Sequence, residues 1–137
     1  MKNKYDVIIA GGGPSGVTSA IAAARYGVSV LLIEQSGFLG GMATGGLVPE
    51  FCPYTDGEKI IHKGLAEKIL FKMKEYTNDE QDKFDYCAID AEYLKLLFDE
   101  MVSEQNVDVL FFTTVTGCKV DENKNITSLT IANKQGV

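Results

Sequence analysis

Three glycines near the start of the chain have the spacing of a phosphate-binding loop. Gly11, Gly13 and Gly16 fit the pattern G-x-G-x-x-G. In this pattern the first glycine allows a tight turn, the second lets a pyrophosphate approach the backbone, and the third lets a helix pack closely on a strand. Pro14 is expected at the first position of that helix, where its missing N–H is tolerated. These residues predict a loop that binds a pyrophosphate.

The start of the predicted helix and an acidic residue extend this site. The amides of Ser15, Gly16 and Val17 are expected to face the phosphates, at the positive end of the helix dipole. Glu34 ends a second apolar run, about 20 residues after the glycines, where a carboxylate can accept both hydroxyls of an adenosine ribose and repel a 2′-phosphate. A strand-to-helix turn that binds no ligand is the alternative, but a strand, helix, second strand and acid in this order favour a dinucleotide site.

The apolar pattern predicts a parallel sheet to position these residues. The unbroken apolar run at residues 7–9 indicates a strand buried on both faces. Small residues on one face of residues 14–26 predict a helix close to the sheet, and Gly27 is expected to end it. A strand over residues 107–112, reached by a long crossover, is expected to lie parallel to the strand that ends at Glu34.

Further helices and a hairpin are expected in the rest of the chain. Apolar residues at every fourth position, including Ile61, predict an amphipathic helix over about residues 60–76, and a charged connection follows at 77–83. Asp90 is expected to cap another helix that ends near residue 105 and buries one apolar stripe. Turn residues after Val120 predict a hairpin between two strands, at residues 113–120 and 126–132.

A second glycine-rich loop follows Glu34, where a nicotinamide-binding unit would normally enter a crossover helix. It contains Gly40, Gly41, Met42 and Thr44. Glycines without side chains suit close backbone approach to another part of a long cofactor, such as the ribityl chain and pyrophosphate of a flavin dinucleotide. A flexible loop in which the glycines serve only for turning is the alternative.

Composition narrows the class of protein. The 137 residues can bury one core, and a net charge of −6 with a pI near 4.7 argues against a nucleic-acid partner. Cys52, Cys87 and Cys118 form neither a disulfide framework nor a metal-binding motif, which favours a reducing compartment. The N-terminal apolar run is too short for a signal peptide, and no run reaches membrane-spanning length. We expect a cytoplasmic protein with no membrane partner.

The sequence does not identify a catalytic residue. His62 is the single histidine and the obvious proton-transfer candidate, but no motif places a carboxylate or nucleophile beside it. A surface or capping role is therefore favoured for this histidine. Cys52 is expected to be a small buried apolar residue rather than a thiol beside a flavin.

The glycine motif, Glu34 and the loop at residues 39–44 resemble the start of FAD-dependent oxidoreductases of the glutathione-reductase type. More narrowly, they are similar to a bacterial family called simply FAD-dependent oxidoreductase. The resemblance covers essentially the whole chain and implies FAD as the cofactor. It places the pyrophosphate on the first loop and the adenosine ribose on Glu34. It also places Gln35 near the adenine, residues 40–44 beside the pyrophosphate and flavin, and the backbone of Val115 against the adenine.

We therefore expect an α/β fold of the FAD/NAD(P)-binding type. It would contain a Rossmann-like parallel sheet with flanking helices and a β-hairpin or meander, and it would be incomplete at its C-terminus. Residues 1–137 would form the N-terminal part of an FAD-binding domain, with residues 45–89 as an excursion of loop and helix and with the substrate domain absent.

The predicted function is to hold the ADP half of FAD for hydride or electron transfer with an organic substrate that binds a missing domain. A non-catalytic cofactor-binding or interaction fragment and an NAD-binding Rossmann domain are the alternatives. In the family a later strand covers the other side of the first strand. Without it, we expect an unpaired sheet edge that permits self-association.

Overall fold

The computed structural model describes residues 2–78 and 87–136. Most of the charged connection predicted at residues 77–83 therefore lies outside the described residues. The elements, in chain order, are β1 (Val7–Ala10), α1 (Pro14–Ala24), β2 (Val30–Ile33), a 3-10 turn (Gly41–Ala43), β3 (Glu50–Phe51), α2 (Leu65–Thr77), β4 (Cys87–Ala88), α3 (Ala91–Ser103), β5 (Asp108–Leu110), β6 (Thr114–Val120) and β7 (Ile126–Ala132).

A parallel sheet of three strands, in the order β1-β2-β5, positions the glycine loops. Val7 pairs with Val30, and Leu32 pairs with Val109. The predicted parallel arrangement of the third strand beside the second is confirmed. Because the three strands run in one direction, their carboxyl ends meet at one edge, where parallel sheets bind their ligands.

The helices bury their apolar stripes on one face of this sheet. The face contributes Val30 and Leu32 to the core, and α3 carries the apolar stripe expected from its sequence. Asp90 caps α3 as predicted, because its carboxylate accepts the Tyr93 N–H at 2.8 Å. The helical residues of the core are Val17, Ala20, Ile21, Ile69, Leu70, Met73, Leu94, Leu97, Phe98, Met101 and Val102.

The other face of the sheet meets the β6–β7 hairpin across a cavity of about 510 Å³. Leu31 and Ile33 line it from the sheet, and Leu129 and Ile131 line it from β7. Burial of the first strand on both faces is not observed, since Ile8 is 39% exposed and β1 is the last strand on its side of the described sheet. The predicted hairpin itself is confirmed by its antiparallel register.

The start of α2 differs from the prediction. The helix begins after Gly64, whose φ of 70° and ψ of −120° lie outside the helical region. Ile60 instead forms an isolated bridge with Thr55, and Ile61 is exposed. The four-residue apolar period therefore extends beyond the helix, into a segment that Gly64 separates from it. The first helix also ends two residues early, at Ala24, and Gly27 follows it in the left-handed region at φ 79°.

Candidate functional site

The first glycine loop turns at the carboxyl end of β1. Gly11 has a φ of 105°, in the left-handed region that favours glycine, and its amide donates to the carbonyl oxygen of Ile33 at 2.8 Å. A Cβ placed on Gly16 would collide with the backbone carbonyl oxygen of Gly11. The first and third glycines thus perform the turning and packing roles expected from the motif.

The phosphate side of this loop is open. A Cβ on Gly13 would meet nothing within 4 Å, and Ser15 is exposed at the start of α1. The Val17 amide donates to the carbonyl of Gly13 at 2.9 Å, so the expectation that it faces a phosphate is wrong. Helix geometry leaves the Ser15 and Gly16 amides in the first turn without an intrahelical acceptor.

Glu34 lies at the tip of β2 with its carboxylate already engaged. Its Oε2 accepts the Gly12 N–H at 2.6 Å, and its Oε1 accepts the N–H and the hydroxyl of Ser36, each at 2.7 Å. Glu34 is only 6% exposed. Burial acts to raise the pKa of this carboxyl, but hydrogen bonds from Ser36, Gly12 and Gln35 outweigh it and lower the pKa. The structure therefore places an ionised carboxylate beside the first glycine loop.

The second glycine loop packs directly on the first. The Gly40 amide donates to the carbonyl of Gly12 at 2.8 Å. A Cβ on Gly41 would lie 3.2 Å from the Gly13 Cα, so a side chain here would crowd the phosphate loop. Gly40 has a φ of 107°. The two loops predicted separately from the sequence form one continuous backbone surface.

Thr44 and Met42 occupy different surroundings in this second loop. Thr44 is 1% exposed, and its hydroxyl donates to the carbonyl of Leu39 at 2.7 Å. Its side chain therefore stabilises the loop, as do its N–H, which donates to the Gly41 carbonyl at 3.2 Å, and its carbonyl, which accepts the Leu47 N–H at 3.3 Å. Met42 is 68% exposed, on the 3-10 turn that follows Gly40.

The adenine side of the predicted site is built where β2 and β5 end. The Glu34 N–H donates to the Leu110 carbonyl at 2.9 Å, and the Thr113 N–H donates to the Glu34 carbonyl at 3.0 Å. Gln35 is exposed next to these bonds, and Val115 is half-buried at the start of β6. The structure thus places both residues on the segments that meet at this edge of the sheet.

Three residues of this site were missed by sequence reasoning. Gly12 stands at a variable position of the motif, but a Cβ there would lie 2.7 Å from Leu39 and 2.9 Å from the Glu34 carboxylate. Ser36 holds that carboxylate, as described above. Phe112 is 57% exposed with a φ of 53°, and its ring covers Gly37. The available signals were a third consecutive glycine and a serine two residues after the acid.

His62 and Cys52 lie beside the first glycine loop, in a shallow cavity of about 270 Å³ that Ser15, Phe51 and Tyr54 also line. The His62 ring meets the Tyr54 ring edge-on, with 6.1 Å between centroids. Cys52 is exposed, so the prediction that it is buried is wrong.

Within residues 2–78 and 87–136, no group of three or more potential metal ligands comes together. Among the helices of the same residues, none has the length and apolar character needed to span a membrane.

Comparisons with known proteins agree with this geometry. Residues 6–137 match the sequence profile of the family described as FAD dependent oxidoreductase. Digeranylgeranylglycerophospholipid reductase 1 of Methanococcoides burtonii is 28% identical over 138 residues, which cover 90% of this chain and 32% of that protein. Glutathione reductase of Schizosaccharomyces pombe is 33% identical over 86 residues, which cover 62% of this chain and 18% of that protein. The chain therefore spans about a third or less of the length of these two curated relatives.

Solved structures show the same fold. A crystal structure of Thermovibrio ammonificans THI4 superposes with a TM-score of 0.66 at 22% identity, covering 96% of this chain and 48% of that one. The predicted α/β fold with a Rossmann-like parallel sheet is thereby confirmed.

Proposed function

The chain belongs to the FAD dependent oxidoreductase family, and from that premise we propose that its two glycine loops and Glu34 hold the ADP half of FAD. The predictions of the family, of FAD as its cofactor and of an FAD-binding portion of a flavin oxidoreductase are confirmed. The observation that carries the residue assignment is the hydrogen bond between Gly40 and Gly12. It joins two loops without side chains into one surface at the carboxyl ends of the strands.

This surface fits a pyrophosphate. Gly13 leaves open space where the backbone must be approached, and Gly41 keeps a Cβ away from the same place. Ser15 and Gly16 supply amides at the positive end of α1. Gly11 and Pro14 set the turn and the start of that helix.

The neighbouring groups fit the adenosine. Glu34 offers a buried, ionised carboxylate to the ribose. We assign Gln35 and the backbone of Val115 to the adenine, and the backbone from Gly40 to Thr44, including Met42, to the pyrophosphate and flavin. These assignments are supported by the way residues 34–36 and 110–113 are joined by hydrogen bonds.

FAD, when bound, supplies hydride or electron transfer. The residues described here bind and orient it, and we assign none of them to a catalytic step. We propose an organic substrate that binds through a further domain of the whole protein, with residues 1–137 as the N-terminal part of the FAD-binding domain. We also propose a cytoplasmic location, which the exposed thiols of Cys52 and Cys118 support.

Nucleotide titration tests the proposal. Adding FAD to the purified chain should quench flavin fluorescence with saturation, whereas NADH should bind more weakly, because it shares only the ADP half with FAD. Glu34→Ala should weaken FAD binding roughly tenfold or more, because it removes hydrogen bonds to a charged acceptor. Glu122→Ala, an exposed acid in the distant hairpin turn, is the control. Unchanged FAD affinity in Glu34→Ala would overturn the ribose assignment, and preferential NADH binding would favour an NAD-binding domain.

A further inference from the structure

The hydroxyl of Ser36 lies between two acceptors. Its oxygen is 2.7 Å from Oε1 of Glu34 and 2.7 Å from the carbonyl oxygen of Phe38. A serine hydroxyl carries one proton and can turn about its C–O bond. It can therefore donate to only one of these acceptors at a time, although both lie at ideal distance.

The carboxylate of Glu34 has little capacity left for a ligand. A carboxylate offers about four lone-pair sites in total. The backbone amides of Gly12 and Ser36 and the hydroxyl of Ser36 use three of them, and the Gln35 amide also donates to this carboxylate. A ribose with two neighbouring hydroxyls needs two acceptor sites, so at least one existing donor must leave.

Only one of these donors is free to leave without moving the backbone. The Gly12 amide belongs to a loop whose carbonyl accepts from Gly40 at 2.8 Å. The carbonyl of Ser36 accepts the Phe112 N–H at 3.0 Å, which fixes the local chain. The Ser36 hydroxyl, by contrast, needs a single rotation to reach Phe38.

We propose that Ser36 is a positioning residue for Glu34. The Ser36 hydroxyl donates its proton to Oε1 of Glu34 in the free protein and to the Phe38 carbonyl when a ribose diol binds. This inference rests on the proposed function and deepens it. The exchange breaks one hydrogen bond and forms another, so the proton of Ser36 stays bonded throughout. It frees an acceptor site on Oε1 of Glu34 and keeps the carboxylate in place through its backbone amide donors.

The charge of Glu34 is set by the same contacts. The influences on the pKa of its carboxyl are burial, which raises it, and hydrogen bonds from Ser36, Gly12 and Gln35, which lower it. Removing the Ser36 hydroxyl should therefore raise this pKa.

The test compares ADP with 2′,3′-dideoxy-ADP, which differ only in the ribose hydroxyls. In the wild-type chain, calorimetric titration should show tighter binding of ADP. Ser36→Ala removes the donor that must leave Glu34 before the ribose binds, so it should raise the ratio of the two affinities by about three- to tenfold, the effect of one hydrogen bond. Ser36→Thr, which retains a hydroxyl, should bring the ratio back towards the wild-type value. Ser19→Ala, on the exposed side of α1, should leave it unchanged.

A second readout follows the carboxyl of Glu34 directly. Its carbon-13 resonance, titrated in the free protein, should give a higher pKa in Ser36→Ala than in the wild type. An unchanged or lower affinity ratio, or an unchanged pKa, in Ser36→Ala would overturn the role of Ser36 and leave the proposed function standing. A wild-type chain that binds neither ADP nor FAD would overturn both.

Discussion

The amide of Gly40 donates a hydrogen bond to the carbonyl of Gly12 across 2.8 Å. It joins the loop after β2 to the loop after β1, although the two are separated in sequence by α1 and β2. This bond also places Leu39 and the Glu34 carboxylate against Gly12, which leaves no room there for a side chain. One backbone contact thus fixes the relative positions of the groups proposed for the pyrophosphate and the ribose.

Two glycines of the motif should respond differently to the same added methyl group. Gly16→Ala should lower the free energy of unfolding by about 1 to 3 kcal/mol, since its Cβ meets the Gly11 carbonyl. Gly13→Ala should leave stability nearly unchanged, because its φ of −69° suits alanine and its Cβ meets nothing within 4 Å.

Urea unfolding and FAD titration of both variants check this contrast. Gly13→Ala should still weaken FAD binding by about tenfold or more, because its Cβ occupies the open side of the loop. A stable Gly13→Ala variant with full FAD affinity would contradict the position assigned to the pyrophosphate.

The buried carboxylate predicts a definite dependence of stability on pH. The folded pKa of Glu34 is lowered from its ordinary value of 4.5, so its contribution is fully present above that value and is lost as pH falls through the folded pKa. The difference in unfolding free energy between wild type and Glu34→Gln should therefore shrink below pH 4.5. Urea unfolding between neutral and acidic pH measures this difference.

Asp99 provides a comparison of opposite sign. Asp99 is exposed on α3, and partial desolvation raises the pKa of its carboxyl above the ordinary 3.8, so ionisation of this group costs a little stability as pH rises through that range. The unfolding free energy of Asp99→Asn should therefore rise relative to that of the wild type as the pH rises.

For Glu34, the opposite result would be informative. If the difference in unfolding free energy between wild type and Glu34→Gln grew on acidification, it would contradict the hydrogen bonds described for Glu34.

The parallel sheet and the family could be predicted because both have short-range signals. A strand, a glycine turn and a helix follow one another within residues 7–24, and Glu34 ends the next strand. The contact between the two glycine loops could be guessed only from their composition, since no local pattern encodes a hydrogen bond between Gly40 and Gly12.

Other features depend on contacts that the sequence does not display. Thr44 was predicted to bind a ligand because it lies in a glycine-rich loop, yet its hydroxyl donates to a carbonyl of the same loop. The apolar period that includes Ile61 predicted a longer α2. This prediction was wrong because periodicity carries no information on the backbone angles of Gly64, after which the helix begins. The role proposed for Ser36 could be inferred only from the distances between its hydroxyl and two acceptors.

The buried hydroxyl of Thr44 should matter for stability. Thr44→Val keeps the shape of the side chain but leaves the Leu39 carbonyl without this donor, and should cost about 1 to 3 kcal/mol of unfolding free energy. Thr44→Ser retains the hydroxyl and should recover the part due to the hydrogen bond. Thermal and urea unfolding of the three proteins measure the difference. Unchanged stability in Thr44→Val together with a loss in Thr44→Ser would show that the methyl group, and not the hydrogen bond, stabilises the loop.

The outer edge of β1 should support self-association, which we propose from the described strand order. The amides of Val7 and Gly11 donate towards β2, so alternation along the strand turns the amides of Ile8 and Ala10 to the open side.

Sedimentation velocity should show reversible dimers whose fraction increases with protein concentration. Ile8→Lys places a charge beside this edge and should shift the chain towards monomer, because charged side chains oppose edge pairing. Lys134→Ala, an exposed change away from the edge, is the control. A monomer at all concentrations in the wild type, or dimers unaffected by Ile8→Lys, would contradict association through β1.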